Sequence, residues 1–211
     1  MNTTSRKNTW PLAANQTLPV LAILLLAFVA YAFEDDLLAS LIYHRTFILQ
    51  GEYWRLFTGH IFHTNGNHLL LNLAGLTLLW SLHGQYYQCT RYLLLTLFSA
   101  LSVSLGLLCF SPELSQYVGL SGILHGIFIW GALTDIQHKL KSGYLLLLGI
   151  VLKVSHEQIY GASNDITTLI NAKVAIDAHL WGMLAGVCFF FINLLFVQYS
   201  RHKKTDNQYR L

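Results

Sequence analysis

Three stretches of this chain carry groups suited to acyl transfer. They are Asn67-His68-Leu-Leu-Leu-Asn72, Gly119-Leu-Ser121-Gly122-Ile-Leu-His125 and Asp177-Ala-His179-Leu-Trp-Gly182. A serine hydroxyl is a weak nucleophile until a base takes its proton. His179 can be that base for Ser121 with no third group strictly required. The intermediate of acyl transfer carries a negative oxygen, which needs donors already in place. Ser121 opens an apolar run between Gly119 and Gly122. Read as a helix N-terminus, it offers free backbone N–H groups and the positive end of the helix dipole. His68 and Asn72 are i and i+4, so they share a helix face and can add side-chain donors. Ser121 and His125 share a face in the same way.

Other readings of these side chains compete. His60, His63 and His68, with Asn72, could ligate a metal. No HExxH is present, and His156-Glu157 lacks the second histidine, so no metal is assigned. His63 reads as a structural histidine bonded to loop backbone, and His60 as an interfacial residue. Asp177 lies two residues before His179, where helical side chains diverge; as a third member of a triad it stays open. Lys153 and Glu157, at i and i+4, read as a surface salt bridge, with support of an outer gate as the other possibility. Trp54-Arg55 reads as an interfacial anchor. The 3 cysteines form no CxxC and imply no disulfide framework; Cys188, in an apolar run, reads as a small buried hydrophobe.

The elements that must position these groups are helices in a bilayer. Hydrophobic residues make up 54% of the 211 and charged residues 11%, and mean hydropathy is +0.47. A globule of this size could not cover itself with polar surface, so soluble, disordered and nucleic-acid-binding classes are disfavoured. Six apolar runs are long enough to consider as spans: Leu18 to Phe33, Asn67 to Leu82, Tyr92 to Phe110, Leu120 to Leu133, Tyr144 to Val154 with a polar extension, and Ala175 to Tyr199. The fourth and fifth are short and glycine-containing, which predicts wrapping by neighbours. Glu34-Asp35-Asp36 follows the first run without a small-x-small cleavage site, so that run is a retained helix. With six spans both termini share a side. That side holds Arg6, Lys7, Arg91, Lys139, Lys141, Arg201, Lys203, Lys204 and Arg210, and leaves Arg45, Arg55, Lys153 and Lys173 opposite. The positive-inside rule then places both termini in the cytoplasm. The organisation read from this is a cytoplasmic segment over 1–17, a membrane domain over 18–200 and a basic tail over 201–211. The aromatic stretch from Glu34 to Gly66 reads as a segment lying in the outer interface.

Direction then brings the chemistry together. The second, fourth and sixth spans all run from outside to inside. His68, Ser121 and His179 each fall in the first turns of their spans, so they share one depth below the outer surface. Gly182 and Gly186 follow His179 on its face, and Gly122 and Gly126 form a second small-xxx-small pair. Such pairs let two helices approach closely.

Together these motifs resemble the rhomboid intramembrane serine proteases. Trp54-Arg55 is similar to the Trp-Arg motif of their first outer loop. His63-x4-His68-x3-Asn72 resembles their second-helix motif, Gly119-Leu120-Ser121-Gly122 their GxSG, and Ala178-His179-x-x-Gly182-x-x-x-Gly186 their AHxxGxxxG. The resemblance covers about Trp54 to Gly186. It implies an all-α six-helix membrane bundle with an outward-opening aqueous cavity. It implies Ser121 as nucleophile and His179 as base, a dyad without an acid, with His68, Asn72 and the Ser121 N–H as oxyanion hole. His63, Gly119, Gly122, His125, Gly182 and Gly186 would support them, no cofactor is expected, and the fifth span would gate substrates. His125, the compact length and Lys153-x-x-x-Glu157-Gln158 resemble the rhombosortase branch. That branch implies a bacterial inner-membrane enzyme, its site facing the periplasm. Its substrates would be membrane-anchored proteins ending in Gly-Gly, an apolar helix and a basic tail. A rhomboid protease with other single-span substrates and a non-catalytic rhomboid-like chaperone are the alternatives.

Overall fold

The computed structural model describes residues 10–208. Arg6, Lys7 and Arg210 of the topology argument lie outside them. In chain order the helices are α1 (Ala14–Ala32), α2 (Glu34–Leu41), α3 (Arg45–Leu49), α4 (Arg55–Thr58), α5 (Gly66–His83), α6 (Cys89–Phe110), α7 (Ser121–Gln137), α8 (Lys141–Tyr160), α9 (Asn164–Ile170) and α10 (Ile176–Gln208). All six predicted apolar runs are long helices. Three of them, α1, α6 and α10 as far as Tyr199, are long and apolar enough on their own to cross a membrane. α10 continues past the candidate span to Gln208.

Packing explains why α7 can be short. Its buried residues include Ile123, His125, Ile127, Ile129, Trp130, Ala132, Thr134 and Asp135, which face all sides, so α7 is the axis of the bundle. The expectation that the fifth span is also wrapped is overturned. In α8 only Gly143, Ile150 and Val154 are buried, while Leu145, Leu148, Leu152 and Ile159 face outward. The helix is also longer than its apolar run. The polar extension, with His156, Glu157 and Gln158, is helical as far as Tyr160, about two turns beyond Val154, since straight-chain polar residues are good helix formers. The cysteines are all exposed; Cys188 faces out from α10 rather than into the core.

The segment between α1 and α5 is knitted into the bundle. A two-residue antiparallel pair, β1 (Tyr43–His44) with β2 (Gln116–Tyr117), joins it to the chain entering α7. Arg55 is buried rather than anchored in the interface; its guanidinium donates to Glu52 at 2.7 Å and to the carbonyls of Ala39 and Ile42 at 3.0 and 2.9 Å. Trp54 beside it is half exposed, with its indole N–H on the Ser40 carbonyl.

His60 is likewise a core residue, not an interfacial one. It is 1% exposed, and its Nε2 lies 3.0 Å from both the Ala100 carbonyl and Ser104 Oγ on α6. Ser104 Oγ donates to the Leu56 carbonyl, so Nε2 is the donor to both α6 oxygens. Burial pushes the His60 pKa down to about 4. A group whose folded pKa is depressed contributes stability above its unfolded pKa of about 6.5 and loses it as pH falls toward the folded value. The melting temperature in detergent is therefore expected to fall as pH drops from about 6.5 to about 4. His60→Gln should flatten part of that slope, and an unchanged slope would count against this account.

At the opposite end of the bundle, His83, Tyr86 and Asp135 form a buried cluster that the motifs did not signal. The Tyr86 hydroxyl donates to Asp135 at 2.5 Å and His83 Nε2 is 3.5 Å from the same carboxylate. It ties the α5–α6 connection to α7.

Candidate active site

Ser121 is the first residue of α7, and the turn before it is what aims it. Gly119 has φ +122°, a conformation open to glycine and costly for other residues. A Cβ there would come within 2.9 Å of His68 Nε2 and 3.9 Å of Asn72 Nδ2. The His68 ring and the Asn72 amide therefore flank the turn that presents Ser121. Tyr117 fixes that turn from the other side, donating to the Gly119 carbonyl at 2.8 Å.

His68 is held in place by its neighbours. Asn65 caps α5 by accepting from the His68 N–H at 2.9 Å. Thr64 N–H and Oγ1 approach His68 Nδ1 at 3.4 and 3.1 Å. Thr64 Oγ1 gives its one proton to the Ile170 carbonyl, so its contact with Nδ1 is compatible with either tautomer of His68; Nε2 is the atom facing Gly119. Asn72 Nδ2 donates one proton to the His68 carbonyl at 3.1 Å and keeps a second free. His63 stacks edge-on against His68, with ring centres 5.0 Å apart. It makes only a weak contact with the Ile61 backbone rather than a well-formed bond, and burial first, then His68, lowers its pKa to about 3.

His179 arrives from the first turn of α10. Its Nε2 is 3.0 Å from Ser121 Oγ. His125 stacks flat on it, ring centres 4.1 Å apart at 12°. The Nδ1 of His125 donates to the Ser121 carbonyl at 2.7 Å, so His125 packs on His179 rather than competing for the serine proton. Direct backbone contact sets this geometry. A Cβ on Gly182 would overlap the Gly122 carbonyl oxygen, and one on Gly186 would overlap that of Gly126. Nothing larger than hydrogen fits between α7 and α10.

Of the two acids near His179 in sequence or space, Asp177 stays apart, as diverging helical side chains predict, and the reading of Glu157 is corrected. Asp177 does not reach His179; it accepts from Ser111 Oγ at 2.6 Å. Glu157 is not a plain surface ion pair. One oxygen accepts from Lys153 at 2.7 Å, and the other lies 2.8 Å from His179 Nδ1. The sequence hint was Lys153-x-x-x-Glu157 at the polar outer end of a span, but the i, i+4 lysine accounted for the carboxylate without a partner on another helix.

The histidines weighed above as alternative metal ligands point apart: His60 faces α6 while His63 and His68 face each other. His125, Glu157 and His179 do hold their ligand atoms within 4.8 Å of one another. The Lys153 ammonium sits there, 3.1 Å from His125 Nε2, and supplies the positive charge that this set attracts.

A cavity of about 500 Å³ opens beside Ser121, lined by His63, His68, Tyr117, Lys173 and residues of the outer segment. The α9 connection lies across its rim, where Thr64 Oγ1 donates to the Ile170 carbonyl at 2.7 Å and Asn65 Nδ2 to that of Leu169 at 3.1 Å.

A Rhomboid domain matches residues 50–196. The chain belongs to the rhomboid family. A search of curated proteins gave no significant match. Rhomboid proteins are in general serine proteases acting on transmembrane substrates within the bilayer, and some members are inactive. The rhomboid match spans α5 through most of α10, and so every residue of the site. It identifies a multi-pass membrane protein.

Proposed function

We propose that this chain is an active intramembrane serine endopeptidase with Ser121 as nucleophile and His179 as base. The observation that carries the reading is the 3.0 Å contact between Ser121 Oγ and His179 Nε2. Oγ attacks the scissile carbonyl while Nε2 takes its proton. The tetrahedral oxyanion is stabilised by the Ser121 N–H, His68 Nε2–H and Asn72 Nδ2–H. His179 then protonates the leaving amine, and water from the cavity hydrolyses the acyl-enzyme by the same relay. An inactive rhomboid would have no need of a donor set converging on one serine.

The finer reading is a bacterial inner-membrane enzyme with six spans, both termini cytoplasmic and the cavity facing the periplasm. The distribution of basic residues supports it. Its substrates are proteins anchored by a C-terminal Gly-Gly, an apolar helix and a basic tail, a choice supported by the resemblance carried by His125 and Lys153-x-x-x-Glu157. Co-expression with a reporter bearing that tail tests both levels. Cleavage by the native chain, lost in Ser121→Ala, supports them together. Cleavage only of other single-span reporters would overturn the substrate choice. No cleavage and no labelling of Ser121 by a fluorophosphonate would favour the non-catalytic reading.

A further inference from the structure

Beyond the pair that does the chemistry, the site contains a three-residue network the mechanism above does not use: His125, Lys153 and Glu157. Glu157 is 14% exposed and uses both carboxylate oxygens, one on each side. If it served only Lys153, the pair would be an i,i+4 bridge with a 47% exposed lysine, of little energetic consequence. The second oxygen instead reaches across to another helix and meets His179 Nδ1 at 2.8 Å. Lys153 Nζ in turn bridges Glu157 Oε1 and His125 Nε2, and His125 is the ring stacked on His179. Glu157 reaches the His179 imidazole directly, His125 by stacking on it, and Lys153 through both of them.

We propose that Glu157 is the positioning carboxylate of His179, and that Lys153 and His125 hold it in register. This rests on the reading of Ser121 and His179 given above. The proton balance is simple. His179 keeps its Nδ1 proton, donated to Glu157 throughout, and so leaves Nε2 bare to accept from Ser121 Oγ. When Nε2 takes that proton the ring becomes an imidazolium, and the adjacent carboxylate stabilises its charge without itself being protonated. Glu157 belongs to α8, the helix with the fewest buried residues among the long ones. The network is therefore also what pins the outer end of α8 to α10, and a displacement of α8 that separates Glu157 from His179 removes the positioning group.

Glu157→Gln is the informative change. Glutamine has the same shape, but its amide can donate to Nδ1 and so favour the tautomer with the proton on Nε2, which cannot accept from serine. In the serine proteases where the equivalent exchange is known the loss is about 10⁴-fold in kcat. Here kcat on a cleaved transmembrane reporter is expected to fall by about 10³-fold or more with KM nearly unchanged, and Glu157→Asp to recover part of it. The second readout needs no turnover. Nitrogen-15 histidine spectra of the full chain in micelles, assigned with His179→Ala, should show His179 protonated at Nδ1 with a downfield proton, and Glu157→Gln should abolish that signal. An unchanged His179 tautomer in Glu157→Gln would overturn the proposal, as would kcat within threefold of native. The two proposals fail separately. If cleavage survives Ser121→Ala, the nucleophile assignment is wrong. If the downfield signal is still present and lost in Glu157→Gln, the positioning contact stands.

Discussion

Cleavage of a transmembrane reporter is expected to fall by at least about 10⁴-fold in Ser121→Ala and by a similar factor in His179→Ala. The two losses should not multiply in the double variant. Serine and imidazole act as one unit, so removing either disables the same proton transfer, and what remains comes from the oxyanion donors and binding. His68 and Asn72 are untouched by these changes, so substrate capture should persist while turnover stops. Crosslinking of the reporter to both inactive variants would show this. A double variant far less active than either single one would mean the two groups work independently, and the shared relay would be wrong.

The second large effect comes from a residue with no side chain. Gly182→Val should abolish cleavage and also lower the melting temperature by many degrees. A Cβ at 182 has no position that avoids the Gly122 carbonyl oxygen, a backbone atom at the start of α7 that cannot rotate away. The helices must separate by an ångström or more, and overpacking of this kind typically costs about 1–3 kcal/mol, sometimes more. The same separation draws His179 away from Ser121, and a hydrogen bond at 3.0 Å has little slack. A useful contrast is Gly149 on α8, whose Cβ would meet nothing within 4 Å. Gly149→Ala should leave both measurements near native. Equal behaviour of the two variants would refute the close-contact account.

Much of this arrangement was legible in the chain. Alternating span direction predicts that the starts of the second, fourth and sixth helices share a depth, and His68, Ser121 and His179 do meet there. The glycine pairs predict close approach, and the α7–α10 contact has that character. What escaped had a common cause. His60 bonds to α6 residues forty or more positions away, and no local pattern reveals so distant a partner. Glu157 had a plausible partner four residues back, which concealed its second oxygen. Its contact with His179 on another helix lies 22 positions away, beyond the reach of any local pattern. Arg55 lies among aromatics typical of an interface, yet three backbone and side-chain acceptors draw it inward.

The three cysteines, all exposed and at three levels of the helix array, make this protein its own topological reporter. Cys89 begins α6 and Cys109 lies one residue from its end. At 1.5 Å per residue they are about 30 Å apart, the thickness of a bilayer's hydrocarbon core. Cys188 lies between the ends of α10. A charged maleimide that cannot cross a membrane, added to intact spheroplasts, should modify Cys109 on the side of Ser121. It should reach Cys89 only after the membrane is opened, and Cys188 only after solubilisation. No engineered thiol is needed, and the order of modification reports the orientation of the whole helix array. Modification of Cys89 first would invert the membrane and place proteolysis on the cytoplasmic face.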